Sequence, residues 1–293
     1  MTISRDMLTA AQQAKTLLGD SAETVGAYLR GQILPGGGFA DRHGTADLYY
    51  TAFGLQALTA LGSAMPVEPL AEYLDAFGDG DGLDLVHWAC LVRCRALLGL
   101  AEAANRRPKA LRRLEGFRSA DGGYAHQAGA EVGSAYGCFF ALGAAGDLSA
   151  EPPDAVGLAR CLQALRTPDG SYANDRRLPI GATPSTAAAV TALGALGWAA
   201  PADVAAWLLQ RIEPTGGFAP LPGAPEADLL STATALHALW VLGTDLGPIR
   251  EPCLRFVRGL RRGDGAFAAH DNEETGDCEY TFYGLLALGH LAE

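Results

Sequence analysis

The chain has 293 residues, 49% of them hydrophobic, and a formal net charge of −11. That acidity argues against a nucleic-acid partner or an anionic membrane surface, and no apolar run is both long and hydrophobic enough to span a bilayer. The start, MTISRDMLTA, lacks a basic region followed by an apolar core, so the expected compartment is the cytoplasm, and with no Ser-, Pro- or charge-rich linker residues 1–293 read as one domain.

Taken in chain order, residues 1–21 hold an additional N-terminal helix, about Arg5 to Leu18, expected to pack outside the rest. A polar helix from Ala22 to Arg30 leads to a Gly-aromatic turn, GGGFADRH from Gly36, and then to the apolar helix DLYYTAFGLQAL opened by Asp47. The same three parts recur. Pro66 to Phe77 precedes the degenerate turn GDGDGLD and DLVHWACLVRCR from Asp84; Pro108 to Phe117 precedes DGGYAH and EVGSAYGCFFAL from Glu131. Pro153 to Arg166 leads to DGSYAND and ATPSTAAAVTAL from Ala182. Pro201 to Ile212 leads to TGGFAP and DLLSTATALHAL from Asp228, and Pro248 to Arg262 to DGAFAAH and DCEYTFYGLLAL from Asp277. Proline suits the first turn of each polar helix because its missing N–H would have no helical partner there.

The turn aromatics Phe39, Tyr124, Tyr172, Phe218 and Phe267 are spaced by 85, 48, 46 and 49 residues, the first interval spanning the degenerate copy. A period of that size marks a repeat in which no unit buries its own apolar face and neighbours must stack. Apolar residues at helical spacing, such as Leu55 and Leu58 or Leu236 and Leu239, make each unit a helix pair. With no polar cap after Leu291 the units are expected to close into a ring. The fold class is all-α, an α/α toroid (α6/α6 barrel) of six helix-hairpin repeats.

The Gly-aromatic turn with an Asp-opened apolar helix resembles the α/α toroid of protein prenyltransferase β subunits and of squalene (terpene) cyclases. GGFAPLPGAPEADLLSTATALHAL and GDCEYTFYGLLALGHL look like the prenyltransferase segments that carry zinc. The resemblance implies an isoprenoid or comparable apolar chain as substrate, held in a central cavity, and a place for a second subunit. It also exposes departures. Where the family has D-x-C this chain has Asp228-Leu229-Leu230, and its histidine position is Tyr280, so the family zinc is expected to be absent. Against the cyclase motif D-x-D-D-T-A stands Asp228-Leu229-Leu230-Ser231-Thr232-Ala233, with one carboxylate kept. The diphosphate clamp after GGF is missing, and Arg42 with His43 and Arg176 with Arg177 are the cationic residues elsewhere at the mouth.

In a closed ring all inner helices start at one end, so their opening acids gather at one mouth. Asp at a helix start caps amide groups, yet like charges brought together repel or recruit a divalent cation. Catalytic candidates are therefore Asp228 and Asp277, then Asp84 with His87, and Asp47. Tyr50 and Tyr280 are positioning or proton-transfer groups, and Phe53, Trp88, Tyr136 and Tyr283 complete an aromatic wall for substrate. His237 and His290 sit among apolar positions and read as packing residues, and the six cysteines, without a CxxC, as reduced core thiols. Two rivals to an isoprenoid enzyme are a non-catalytic toroid holding a lipid or protein, and a metal-dependent lyase or hydrolase built on the carboxylates.

Overall fold

The computed structural model describes residues 2–100, 106–152 and 154–292. After α1 (Ile3–Leu18) the chain runs as outer and inner helices in alternation: α2 (Ser21–Gly31) and α3 (Leu48–Leu61), α4 (Val67–Asp75) and α5 (Leu85–Leu97), α6 (Arg106–Gly116) and α7 (Ala135–Asp147). The series continues with α8 (Ala155–Ala164) and α9 (Thr183–Ala195), α10 (Asp203–Leu209) and α11 (Leu229–Val241), and α12 (Arg250–Gly259) and α13 (Cys278–His290). Pro153, read from sequence as the opening of an outer helix, lies outside the described residues. Each inner helix packs on the next, and α13 packs on α3, so the inner layer closes. No helix among the described residues is long and apolar enough to cross a membrane.

One local device is repeated at the joint between turn and inner helix. The backbone N–H of Phe39, Tyr172, Phe218 and Phe267 donates to the hydroxyl of Thr51, Thr186, Thr232 and Thr281, at 2.9, 3.0, 2.9 and 3.2 Å. Each of these threonines lies four residues after the residue that caps its inner helix, on the face turned to the outer layer. The turn aromatics are thereby fixed, fully buried, between the two helix layers. Two of them lie directly on a helical glycine: a Cβ at Gly54 or Gly284 would overlap the ring of Phe39 or Phe267. Gly54→Ala is expected to cost about 1–3 kcal/mol by overpacking, read as a lower urea midpoint at unchanged slope.

Two expectations are corrected. The third inner helix is capped by Ser134, whose Oγ accepts from Gly137 N at 3.0 Å, and not opened by Glu131. The turn aromatic fixes this register: Ser134 N donates to Tyr124 O at 2.9 Å, so the helix cannot begin three residues earlier. Helix α1 does not pack outside the ring. It crosses the C-terminal ends of the inner helices, packing on α13, α3 and α7, with Ile3 and Met7 facing the interior. Gly289 allows this close crossing, since a Cβ there would run into the carbonyl of Ala10.

Candidate functional site

The toroid encloses a cavity of about 550 Å³. Counting from each helix cap, the residues facing it form tiers. The second residue after the cap supplies the top tier on all six inner helices: Tyr49, Val86, Tyr136, Pro184, Leu230 and Glu279. The sixth supplies the middle tier, Phe53, Cys90, Phe140, Ala188, Thr234 and Tyr283. The ninth adds Gln56, Arg93, Gly143, Thr191 and His237 at depth, above the floor made by α1. Steps of four and three residues hold one face of an α-helix, which is why a single stripe per helix builds the wall.

Glu279 is the one carboxylate of the top tier. Tyr49 donates to its Oε1 at 2.8 Å, and Oε2 has no partner among the described residues. Burial pushes the Glu279 carboxyl up to about 7, helped by the nearby charge of Asp277 and opposed by the Tyr49 hydrogen bond and Arg42. Tyr49 itself is held well above the ordinary phenol range by burial and by Glu279, so it remains a donor. Beside this pair the aromatic wall is continuous: Tyr49 meets Phe53 edge-on at 4.8 Å between centroids, and Phe53 lies 5.4 Å from Tyr283 and 5.8 Å from Phe282. The floor is polar. Arg93 binds Asp147 through Nε at 2.6 Å and reaches Gln56 Oε1 and Ser4 Oγ with its terminal nitrogens.

The residues singled out by sequence are distributed differently. Phe53, Tyr136 and Tyr283 line the cavity. Tyr50, His87 and Tyr280 stand three residues after their caps, one residue past the cavity face, and none of them lines it. Tyr280 lies under the Arg42 guanidinium, 5.5 Å from its ring centre. Trp88 takes the position that threonine holds in four other units, points to the outer layer and packs near Phe117, with centroids 6.1 Å apart.

Asp47, Asp84, Asp228 and Asp277 all cap helices and none lines the cavity. Arg42 binds Asp277 at 2.7 Å, His87 and His126 lie 2.9 and 3.2 Å from Asp84, and Asp47 accepts from the Tyr49 and Tyr50 amides at 2.8 and 3.0 Å. Asp228 accepts from Ser231 N and Oγ at 2.6 and 2.8 Å. Burial raises its pKa above the usual carboxylate value. Asp228→Asn, which preserves the cap, is expected to change stability by no more than about 1 kcal/mol and to leave turnover unaltered. Loss of turnover in that variant would bring the carboxylate into the chemistry. Arg177 pairs with Asp175 at the exposed rim and Arg176 lies 3.9 Å from Asp121, so neither reaches the cavity.

The place of the prenyltransferase zinc does not fit that ion. Both Asp228 oxygens are engaged by Ser231, Leu230 presents hydrocarbon to the cavity and Tyr280 lies against Arg42. Among the described residues no group of three or more His, Cys, Asp or Glu side chains is arranged to hold a metal.

A closed double ring of helices around a central cavity defines an α/α toroid. The family model of the prenyltransferase alpha-alpha toroid domain matches residues 20–78 and 185–292, more than half of the sequence, and the chain belongs to that family. A search of curated proteins found no significant match. Among solved structures the fold is similar to Candida albicans protein geranylgeranyltransferase-I complexed with GGPP, at 13% identity, covering 81% of this chain and 82% of that one, with a TM-score of 0.65. It is similar also to type II terpene cyclase MstE from Scytonema without ligand, at 18% identity, 96% and 98% coverage and a TM-score of 0.61. A variant of that cyclase in complex with its substrate, geranylgeranyl dihydroxybenzoate, aligns at 18% identity over 97% of both chains with a TM-score of 0.60.

Proposed function

We propose that this protein is an isoprenoid-handling enzyme that takes an extended apolar prenyl chain into its central cavity and transfers a proton to it from Glu279. The observation that carries this reading is a carboxyl group buried in the top tier of an apolar cavity, pushed by that burial toward its protonated form, with an aromatic wall beside it. A protonated carboxyl keeps one oxygen for the Tyr49 donor and presents its O–H on the other. Charge developing on an alkene carbon would meet the faces of Phe53, Tyr283 and Phe282, which stabilise cations without reacting with them. Acid, wall and floor come from one chain, which acts as a single domain with α1 as its floor. Six buried free cysteines suit work in the cytoplasm.

The test uses geranylgeraniol and geranylgeranyl diphosphate, with binding read by thermal shift and products by gas chromatography and mass spectrometry. Conversion of either one by the wild-type protein supports the enzyme. A thermal shift with no product from either would make the toroid a binding module.

A further inference from the structure

The deep tier contains a second titratable group that the proton donor does not use. His237 stands nine residues after the Asp228 cap, 3% exposed, with Nδ1 3.0 Å from Nε2 of the equally buried His290. Its Nε2 has no hydrogen-bond partner among the described residues, and the Trp240 ring stacks on it at 5.9 Å between centroids. Glu279 lies on the neighbouring inner helix seven residues nearer the mouth, which at 1.5 Å per residue separates the two levels by roughly 10 Å.

Building on the reading above, we propose that Nε2 of His237 is the proton acceptor that ends the reaction Glu279 begins. The balance is simple. The Glu279 O–H bond breaks and its proton bonds to one alkene carbon through the π pair, leaving a carbocation on the other. Attack by further double bonds of the same chain moves that charge toward the floor. A C–H beside the last cationic carbon then breaks, its electron pair becomes a new C=C, and the proton passes to His237. After product leaves, His237 releases the proton to water and Glu279 takes one up, so the net change is an isomerisation needing no oxidant or reductant.

The Glu279 carboxylate left by the first step is the stronger base but lies roughly 10 Å nearer the mouth, and the other acceptors in the wall are engaged or unsuited. Asp147 is held by Arg93 at 2.6 Å, burial keeps the Cys90 thiol up at about 12, and Tyr49 and Tyr283 stay protonated phenols. Burial pushes His237 down to about 4 and, with its neighbour, holds His290 well below the usual range, so both rings are neutral at pH 7. A C–H next to a carbocation is acidic enough for so weak a base. The role requires the tautomer in which His237 Nδ1–H donates to His290 Nε2 and the Nε2 lone pair is free.

The experiment compares wild type, H237F and E279Q on geranylgeraniol, alongside 15N NMR of histidine-labelled wild-type protein. E279Q is expected to lose all products together. H237F is expected to lose about 100-fold in turnover, with its residual product shifted from the wild-type alkene to water-trapped alcohol. The His237 Nε2 resonance should be that of an unprotonated ring nitrogen. An active H237F with the wild-type product pattern, or a protonated Nε2, overturns this inference alone. Wild-type protein that converts no isoprenoid overturns it together with the function above. Should H237F not fold, the nitrogen resonance of the wild-type protein decides the matter.

Discussion

Glu279→Gln is expected to lose at least about 100-fold in turnover, the usual range for a general acid, while binding an isoprenoid alcohol as tightly as the parent. The same substitution should stabilise the protein, and the sign follows from the shift. The carboxyl rises from 4.5 in the unfolded chain to about 7 when folded, so the folded state binds the extra proton between those values. Stability is therefore full below the unfolded value and is lost as pH rises toward 7, by about 3 kcal/mol in total at 1.36 kcal/mol per unit. Glutamine removes that loss. E279Q should thus melt higher than wild type at pH 8 and equally at pH 4, and wild-type turnover should fall about tenfold per unit above pH 7. A melting difference that does not change with pH would show that burial does not hold this group neutral.

Arg93→Met is expected to be the most destabilising single change at the site, by about 3–5 kcal/mol at pH 7, because it leaves the largely buried Asp147 carboxylate without its counter-ion. Burial already raises the Asp147 pKa above the normal range even with Arg93 present, and removing the guanidinium raises it further. The penalty should therefore shrink as pH is lowered and the carboxyl takes up a proton. Replacing both partners, as R93M with D147N, should recover most of the loss. Equal denaturant midpoints for wild type and R93M at pH 7 would mean that Asp147 is solvated and that the floor is open.

The fold was legible because its signal is repeated: five Gly-aromatic turns and the Pro-opened outer helices make helix pairs, and pairs of that period stack. The site was less so, for reasons that lie in particular residues. Acidic openings drew attention to Asp228 and Asp277, where capping alone explains the residue type. The cavity face runs one residue earlier than the positions chosen. Tyr50, His87 and Tyr280 are each followed back by Tyr49, Val86 and Glu279, and a rotation of 100° per residue moves the side chain from the wall to the seam between helices. The error at Glu131 had the same origin, since an acid was preferred to Ser134 as a cap and hid the alignment of Tyr136 with Glu279. Had the turn aromatics set the register, Tyr136, Leu230 and Glu279 would have stood in one column. No feature of the sequence marks α1 as the floor, because Ile3 and Met7 are ordinary apolar residues of an amphipathic helix.

The placement of α1 bears on the order in which the molecule assembles. Ile3 to Leu18 find their main partner in α13, Cys278 to His290, about 260 residues further along the chain, and the contact of α13 with α3 joins the same two regions. Local helix pairs form early, but ring and floor close only through contacts separated by nearly the whole chain, which are slow to form. While the C-terminal unit is still on the ribosome, the growing protein presents an open arc whose apolar inner faces are wet, the state in which such chains aggregate or bind chaperones. The helix that closes the ring is also the one that carries Glu279, so the carboxyl proposed as proton donor enters the cavity only in the act of closing.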